Sequence, residues 1–600
     1  MAAYRPPLQD ILFTLEHVAD LRSVAKLNGF GHLDADTTEG VLSEAGRFFA
    51  EVVAPLNRIG DQQGSVLQPD GSVVTPEGFK EAYNKYVEAG WGGAHIPEEH
   101  GGGGLPYTVG IVIQEMFKTA NIAFSLCPLL TQAAIEALIE HGTAEQRADY
   151  LEKLVRGEWA GTMCLTEPHA GSDVGALSTR AVAQDDGTYR LFGTKIFITW
   201  GEHDLTDNII HLVLARTPDA PEGTKGISMF IVPKFILGSD GSPGQRNDIK
   251  IVSLEHKLGI HASPTCVVSF GDSGEGAVGH LIGEEQSGMR YMFTMMNTAR
   301  IGVGVEGLAI TEGAYQLAAA YALDRRQGRE LGVPATESSP IARHPDVRRM
   351  LMTMRAYRET LRALLYVTAR HVDEERHGDS PEARQTAGEI VALLTPVAKG
   401  WSTDVGVEMA SLGLQVHGGM GFIEETGAAQ FYRDSRIAPI YEGTNGIQAI
   451  DLVMRKLPMG GGAVIARFIE ATRVVAVELS TISELDRFGV HLVDGADAVE
   501  EAVSILLGRL ETAPDDALAA ASPFLRLFGT VVGGWLMGKA ALAASTQLEA
   551  GTGDKEFLEA KVATARFYGE HLLPSVFGLI ESIESDRELL FAIDDHTLAG

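Results

Sequence analysis

The period of the apolar residues changes along this chain from helical to alternating and back. Between residues 36 and 158, Val41, Leu42, Ala45, Phe48, Phe49, Val52 and Val53 recur at helical spacing, with Thr37 or Thr38 able to cap the first helix. Between 160 and 285, short runs rich in Val, Ile, Phe and Thr alternate with Gly and Asp turns, at 189–199, 209–214, 227–232 and 265–270. From 286 to 455 long helical repeats return. A 3.6-residue period and a two-residue period cannot occupy one element. The expectation is therefore a mainly α chain with a central antiparallel sheet or barrel. Six hundred residues also exceed what one core supports. Four domains are expected: a helical one at 1–158, a β-domain at 159–285, a second helical domain at 286–457, and a helical extension at 458–600. The extension follows a Pro458-Met459-Gly460-Gly461-Gly462 linker. Residues 97–106 read as a loop and 237–248 as a surface insertion.

A net charge of −31 argues against nucleic acid and anionic membrane surfaces as partners. Cys127, Cys164 and Cys266 lie far apart without metal-ligand spacing and read as small apolar residues in a reducing compartment. His203, His211, His256, His261 and His417 are scattered, so no metal site is expected. The first ten residues lack a basic stretch followed by an apolar one, and the most apolar late stretch, 528–537, spans ten residues broken by glycines. A membrane span needs about 20 residues. A buried helix and a cytoplasmic protein are expected. Asp373, in a run of charges to Arg376, reads as solvated.

Two segments carry chemistry. Residues 436–449 place the carboxylate Glu442 after Ile440-Tyr441 and before Gly443-Thr444, an apolar flank that favours a stronger base. Far upstream stands Leu165-Thr166-Glu167-Pro168-His169-Ala170-Gly171-Ser172-Asp173. Together they resemble the acyl-CoA dehydrogenase family, whose flavin motif Thr-Glu-Pro-x-Ala-Gly-Ser-Asp and catalytic motif Tyr-Glu-Gly-Thr are present at Thr166–Asp173 and Tyr441–Thr444. Between them, in the family's order, lie Lys195-Ile196-Phe197-Ile198-Thr199, Lys225-Gly226-Ile227-Ser228, Lys257-Leu258-Gly259 and Gln415-Val416-His417-Gly418-Gly419-Met420-Gly421. The resemblance covers residues from about 40 to 455.

The resemblance implies a helical domain, an antiparallel β-barrel and a four-helix domain, here with an added C-terminal helical domain, assembled as a homodimer. It implies FAD, an acyl-CoA substrate and an electron-transferring flavoprotein as acceptor. Glu442 would take the α-proton, a choice favoured by Ala299, which stands where some relatives carry the base. The backbones of Met163 and Leu165 and the Thr166 hydroxyl would meet the flavin ring, Gly171 and Ser172 the pyrophosphate, and Phe197 and Thr199 the ring and its reactive edge. Arg325 and Gln327, with Gln415, Gly418 and Gly419, would serve the adenine half from a neighbouring subunit, although Gly328 and Arg329 depart from the family's Phe and Gly. Thr444 and Gly446 would also touch the cofactor. Ser172, Asn297, Arg300, Tyr441 and Gly443 are expected to face substrate, the arginines 300, 325 and 326 offsetting the acidic chain against a polyanionic thioester. An oxidase that uses oxygen and a non-catalytic flavin or acyl-CoA scaffold are the alternatives. Gly302-x-Gly304-x-x-Gly307 fits a dinucleotide fingerprint but follows a helical run, so it reads as close helix packing. The length and extension resemble the long bacterial members, which include 3-methylmercaptopropionyl-CoA and long-chain fatty-acyl enzymes. The acyl chain itself is not legible.

Overall fold

A computed structural model describes residues 4–332, 334 and 337–600, which form two compact units. The unit from Ser43 to Gly302 begins with helices, continues into a sheet and closes with the start of a long helix. Its helix Ile122–His141 is apolar on all sides and almost wholly buried, as expected of a helix surrounded by core. It lies on the strand Trp159–Cys164, where a Cβ on Gly161 would stand 2.6 Å from that of Ala134. The eight-stranded sheet runs in the order Ile249–Leu254, Thr265–Phe270, Tyr189–Thr199, Ala277–Leu281, Ile227–Pro233, Asn208–Arg216, Trp159–Cys164, with Arg180–Ala183 beside Tyr189–Thr199. Pairing is antiparallel except where Trp159–Cys164 and the end of Arg180–Ala183 meet Asn208–Arg216 in parallel. Val213, Phe230, Val232, Val268 and Phe270 fill one side of the sheet, and Leu212, Met229 and Ile231 join helix side chains on the other. The expected insertion at 237–248 is an exposed hairpin arm, Phe235–Leu237 paired with Pro243–Arg246.

The other unit, Met1–Leu42 with Val303–Gly600, is helical. The long helix Gly288–Asp324 contributes to both units. In this one, Pro345–His377 packs on Pro381–Pro396 and Ser402–His417. The extension adds Ala463–Ser480, Asp486–Thr512, Ala521–Ala550 and Lys555–Phe567. Gly304 and Gly307 sit where a Cβ would strike the backbone of Ala398 and Ser402, which accounts for the fingerprint-like glycines as helix packing. A buried ion network ties the two ends of the chain to the middle. Asp10 pairs with Arg362 and with Lys561 (2.7 Å), Arg362 with Glu312 (2.7 Å), and Lys561 with Glu359 (2.9 Å).

Two local expectations are corrected and one is extended. The helix that starts at Ala35 is capped by the Asp34 carboxylate, which accepts from the Thr37 N–H at 2.7 Å, because the chain turns three residues before Thr37. The apolar stretch at 528–537 is the expected buried helix, and it is the middle of a 30-residue one, Ala521–Ala550. Its glycines do not end it, because each replaces a clash: Gly529 faces the Trp401 ring and Gly533 the Tyr568 hydroxyl. That helix and Ile122–His141 are long and apolar enough to cross a bilayer, yet 78% and 94% of their most apolar windows are buried by protein. Asp373, finally, is buried, because Pro345–His377 has neighbours on several sides.

Candidate active site

Strand Trp159–Cys164 carries Met163 into the buried sheet and releases Leu165 and Thr166 half-exposed at its end. The following turn is tight, with Glu167 and Ala170 exchanging backbone hydrogen bonds of 3.1 and 3.0 Å. Glu167 points inward. Its carboxylate accepts from the N–H and hydroxyl of Ser178 and Thr179 and from the fully buried Lys195 ammonium at 2.8 Å. Burial alone pushes this carboxyl up, but Lys195 and the hydroxyl and N–H donors outweigh it and hold the group at about 2. Lys195 also donates to the Leu165 carbonyl (2.9 Å), and the Ile196 N–H to the Thr166 carbonyl (2.9 Å). Two motifs 30 residues apart in sequence are thereby fastened side by side. Gly171 and Ser172 stand exposed beyond the turn, and a Cβ on Gly171 would meet nothing within 4 Å.

Phe197 is not an ordinary strand residue. Cys266 pairs with Ile198 and Val268 with Lys195, so Ile196 and Phe197 together oppose Val267 in a bulge. Phe197 takes φ +59° and is 57% exposed. For a bulky residue this conformation costs about 1–3 kcal/mol, and its result is an exposed aromatic ring. Thr199, beyond the bulge, pairs with Thr265 and is half-buried. In the same unit, Thr294 and Thr298 of helix Gly288–Asp324 hydrogen-bond to His141 (2.8 Å) and Glu136. Asn297 is exposed there, whereas Arg300 is buried with its guanidinium 5.9 Å from the centre of the Phe293 ring.

In the helical unit Glu442 is half-buried, with φ +54°, and Gly443 follows at φ +81°. The turn is anchored on both sides. Tyr441 donates its hydroxyl to Glu306, a wholly buried carboxylate. Burial and that carboxylate push the phenol well above its ordinary value, so it stays protonated and its hydroxyl is committed to the scaffold. Thr444 caps helix Asn445–Asp451 by accepting from the Ile447 N–H at 3.2 Å, and Gly446 is exposed on its first turn. Arg325 and Gln327 lie exposed just past helix Gly288–Asp324, and Gln415, Gly418 and Gly419 exposed at the end of Ser402–His417. Tyr321 stacks on His417 with ring centres 4.5 Å apart, which brings these two helix ends together. Gly418 requires its freedom, at φ +59°, and a Cβ on either Gly418 or Gly419 would meet open space.

Four family signatures match in succession: acyl-CoA dehydrogenase N-terminal domain at 36–158, middle domain at 162–273, C-terminal domain at 286–457, and acetyl-CoA dehydrogenase C-terminal-like domain at 463–594. The 3-methylmercaptopropionyl-CoA dehydrogenase of Ruegeria pomeroyi is 49% identical over 95% of this chain and 96% of its own length. The chain belongs to the acyl-CoA dehydrogenase family. Within that family it is also 36% identical, over 99% of its length and 100% of the relative's, to the broad-specificity linear acyl-CoA dehydrogenase FadE5 of Mycobacterium tuberculosis. Among solved structures, an acyl-CoA dehydrogenase of Bacillus anthracis complexed with FAD superposes with a TM-score of 0.73 at 22% identity, covering 93% of this chain and 90% of that one, which shows the shared fold. The extension is thus part of the protein's full-length relatives and not an appendage peculiar to this chain.

Sequence reasoning passed over several residues of this acyl-CoA dehydrogenase scaffold. The sequence alone does not single out Glu306 or Asn445, and it shows Glu167 and Lys195 only as letters of a motif. Their importance rests on pairings across 28 to 135 residues, which no local string announces.

Proposed function

We propose that this protein is an FAD-dependent dehydrogenase that converts an acyl-CoA thioester to its trans-2-enoyl-CoA. The observation that carries the reading is Glu442. A carboxylate held half-exposed in a left-handed turn, with anchors before and after it, is backbone strain kept for a purpose. Its carboxylate removes the proton α to the thioester carbonyl, and the β carbon loses a hydride as the double bond forms. The Gly443 N–H is the proposed donor to the thioester oxygen, where charge develops as the α-proton leaves.

The residues present suit a flavin. Gly171 leaves room for a phosphate, Phe197 offers a ring, and the Gly418-Gly419 turn is open. Leu165 and Thr166 have their carbonyls taken by Lys195 and Ile196, which fixes the turn and leaves the Thr166 hydroxyl as a group for a cofactor edge. In the unit Ser43–Gly302, Met163, Leu165, Thr166, Gly171, Ser172, Phe197 and Thr199 would hold FAD; in the helical unit, Thr444 and Gly446 are proposed cofactor contacts. Arg325, Gln327, Gln415, Gly418 and Gly419, all exposed, would hold the adenine half of a second copy across a homodimer. Bound FAD supplies the acceptor for the β-hydride, which no amino-acid side chain can be. Electron-transferring flavoprotein is the proposed onward acceptor. Ser172, Asn297, Arg300 and Tyr441 are the proposed substrate contacts, Tyr441 through its ring. The 49% relative points to a 3-methylmercaptopropionyl thioester as first substrate, and the 36% relative to linear acyl chains as second. Three free, buried cysteines suit a reducing compartment such as the cytoplasm.

The test is an anaerobic absorbance titration with a panel of acyl-CoAs on wild type and Glu442→Gln. Bleaching of the flavin band by one class names the substrate, and its loss in a variant that retains flavin identifies the base. A flavin-loaded protein that no acyl-CoA reduces would overturn the reading. Hydrogen peroxide release in air would mark an oxidase instead.

A further inference from the structure

The catalytic turn is closed behind Glu442 by a polar clamp. The Asn445 N–H donates to the Pro439 carbonyl at 3.0 Å, which shuts the loop that holds Glu442. The Asn445 side chain is saturated. Its oxygen accepts from the fully buried Lys399 ammonium at 2.9 Å, and its nitrogen donates to the Gly400 carbonyl at 2.9 Å and the Asp404 carboxylate at 2.7 Å. One turn later the wholly buried Gln448 extends its amide nitrogen to the carbonyls of Glu442 and Gly443, 3.4 Å from each.

Lys399 is in turn held from outside. It lies in Val397–Trp401, a π-helical turn that is buried throughout and interrupts the run from Pro381–Pro396 into Ser402–His417. Such one-turn insertions redirect side chains and gather at functional sites. The extension helix Ala521–Ala550 packs on this turn and on Asn445–Asp451. A Cβ on Gly400 would stand 2.8 Å from the Leu525 side chain and 3.3 Å from the Gln448 side chain, and a Cβ on Gly529 would run into the Trp401 ring. Two glycines, one on each partner, let the helix close to a distance at which the π-turn cannot shift. The contacts therefore run unbroken from extension to π-turn, from Lys399 to Asn445, and from there to the base.

We infer that the C-terminal extension is a positioning element for the catalytic base, acting through Lys399 and Asn445. The inference rests on Glu442 being that base. Lys399, Asn445 and Gln448 touch no reacting atom. They set the angle of a carboxylate whose own backbone conformation is unfavourable, and a misplacement of about 1 Å is enough to slow a reaction by about 10²-fold.

The experiment compares Asn445→Ala, Lys399→Met, Lys399→Arg and Gly529→Ala in the full-length holoenzyme with the acyl-CoA that bleaches wild type. A drop in kcat of about 10²-fold in the first two is expected, with KM and bound flavin close to wild type. The isotope effect on an α-deuterated substrate rises, because proton removal becomes limiting. Lys399→Arg, which still donates, recovers most of the rate, and Gly529→Ala shows the same pattern as Asn445→Ala, more weakly. Independently of activity, amide hydrogen exchange across 440–448 accelerates in Asn445→Ala and Gly529→Ala. Unchanged kcat and unchanged exchange in both would overturn the inference, and those two variants decide the matter if Lys399→Met fails to fold. A fully active Glu442→Gln would instead overturn the assignment of the base, a result separate from either.

Discussion

Phe197 and Glu442 sit in different units and do different work, yet both are held in the same unfavourable left-handed conformation, at φ +59° and +54°. A fully buried lysine stands behind each. Behind the Phe197 bulge, Lys195 pairs with a buried carboxylate and props up the Leu165 carbonyl. Behind Glu442, Lys399 serves a neutral amide. The difference shows two ways of holding strain. A charge pair is stiff but depends on proton supply and on each ion keeping its partner. An amide is weaker per bond and does not itself titrate, although here it bridges the Lys399 ammonium and the Asp404 carboxylate.

Removing one ion should have the largest effect. Lys195→Met leaves Glu167 buried without its cation, and a loss of about 3–5 kcal/mol is expected in urea unfolding, together with loss of bound flavin. If Lys399→Met lowers stability and flavin content as much, the contrast between the two regions fails. Acid comes next. Glu167 sits at about 2 against an ordinary value of 4.5, so its contribution is complete above pH 4.5 and is lost as pH falls toward 2. The gap between wild type and Glu167→Gln, about 2 kcal/mol after allowance for relaxation of the site, should therefore shrink below pH 4.5 in denaturation midpoints. The corresponding gap for Asn445→Ala should depend on pH only through Asp404, whose carboxyl burial pushes up. Tyr441→Phe removes one hydrogen bond to a buried carboxylate, and a cost of about 1–2 kcal/mol is expected, with a lower kcat. The smallest effect sharpens the comparison directly. Phe197→Gly and Glu442→Gly each release left-handed strain, and each should stabilise the protein by about 1 kcal/mol while impairing flavin handling in the first case and dehydrogenation in the second. Destabilisation by either would mean that the strain is not stored there.

Much of this was readable from one dimension. Thr166–Asp173 and Tyr441–Thr444 are contiguous strings, and a contiguous string survives in sequence whatever surrounds it. The glycines at 302, 304 and 307 were readable as packing, since a helical run precedes them. The Phe197 bulge was not, because Tyr189–Thr199 looks like a regular strand until its partner Thr265–Phe270 supplies one residue too few. The burial of Asp373 was hidden by its charged neighbours, and the length of Ala521–Ala550 by glycines that normally interrupt helices.

By itself, then, the sequence determined which elements form and which motifs the chain carries, because periodicity and short motifs are local properties of a polymer. Only the tertiary structure decided that Asp10 joins helix Lys555–Phe567 through Lys561, that Lys195 fastens two motifs side by side, and that Lys399 reaches Asn445 from 46 residues away. Those are choices among many polar partners of similar chemistry. They are settled by which groups packing brings within hydrogen-bond distance once water has been excluded.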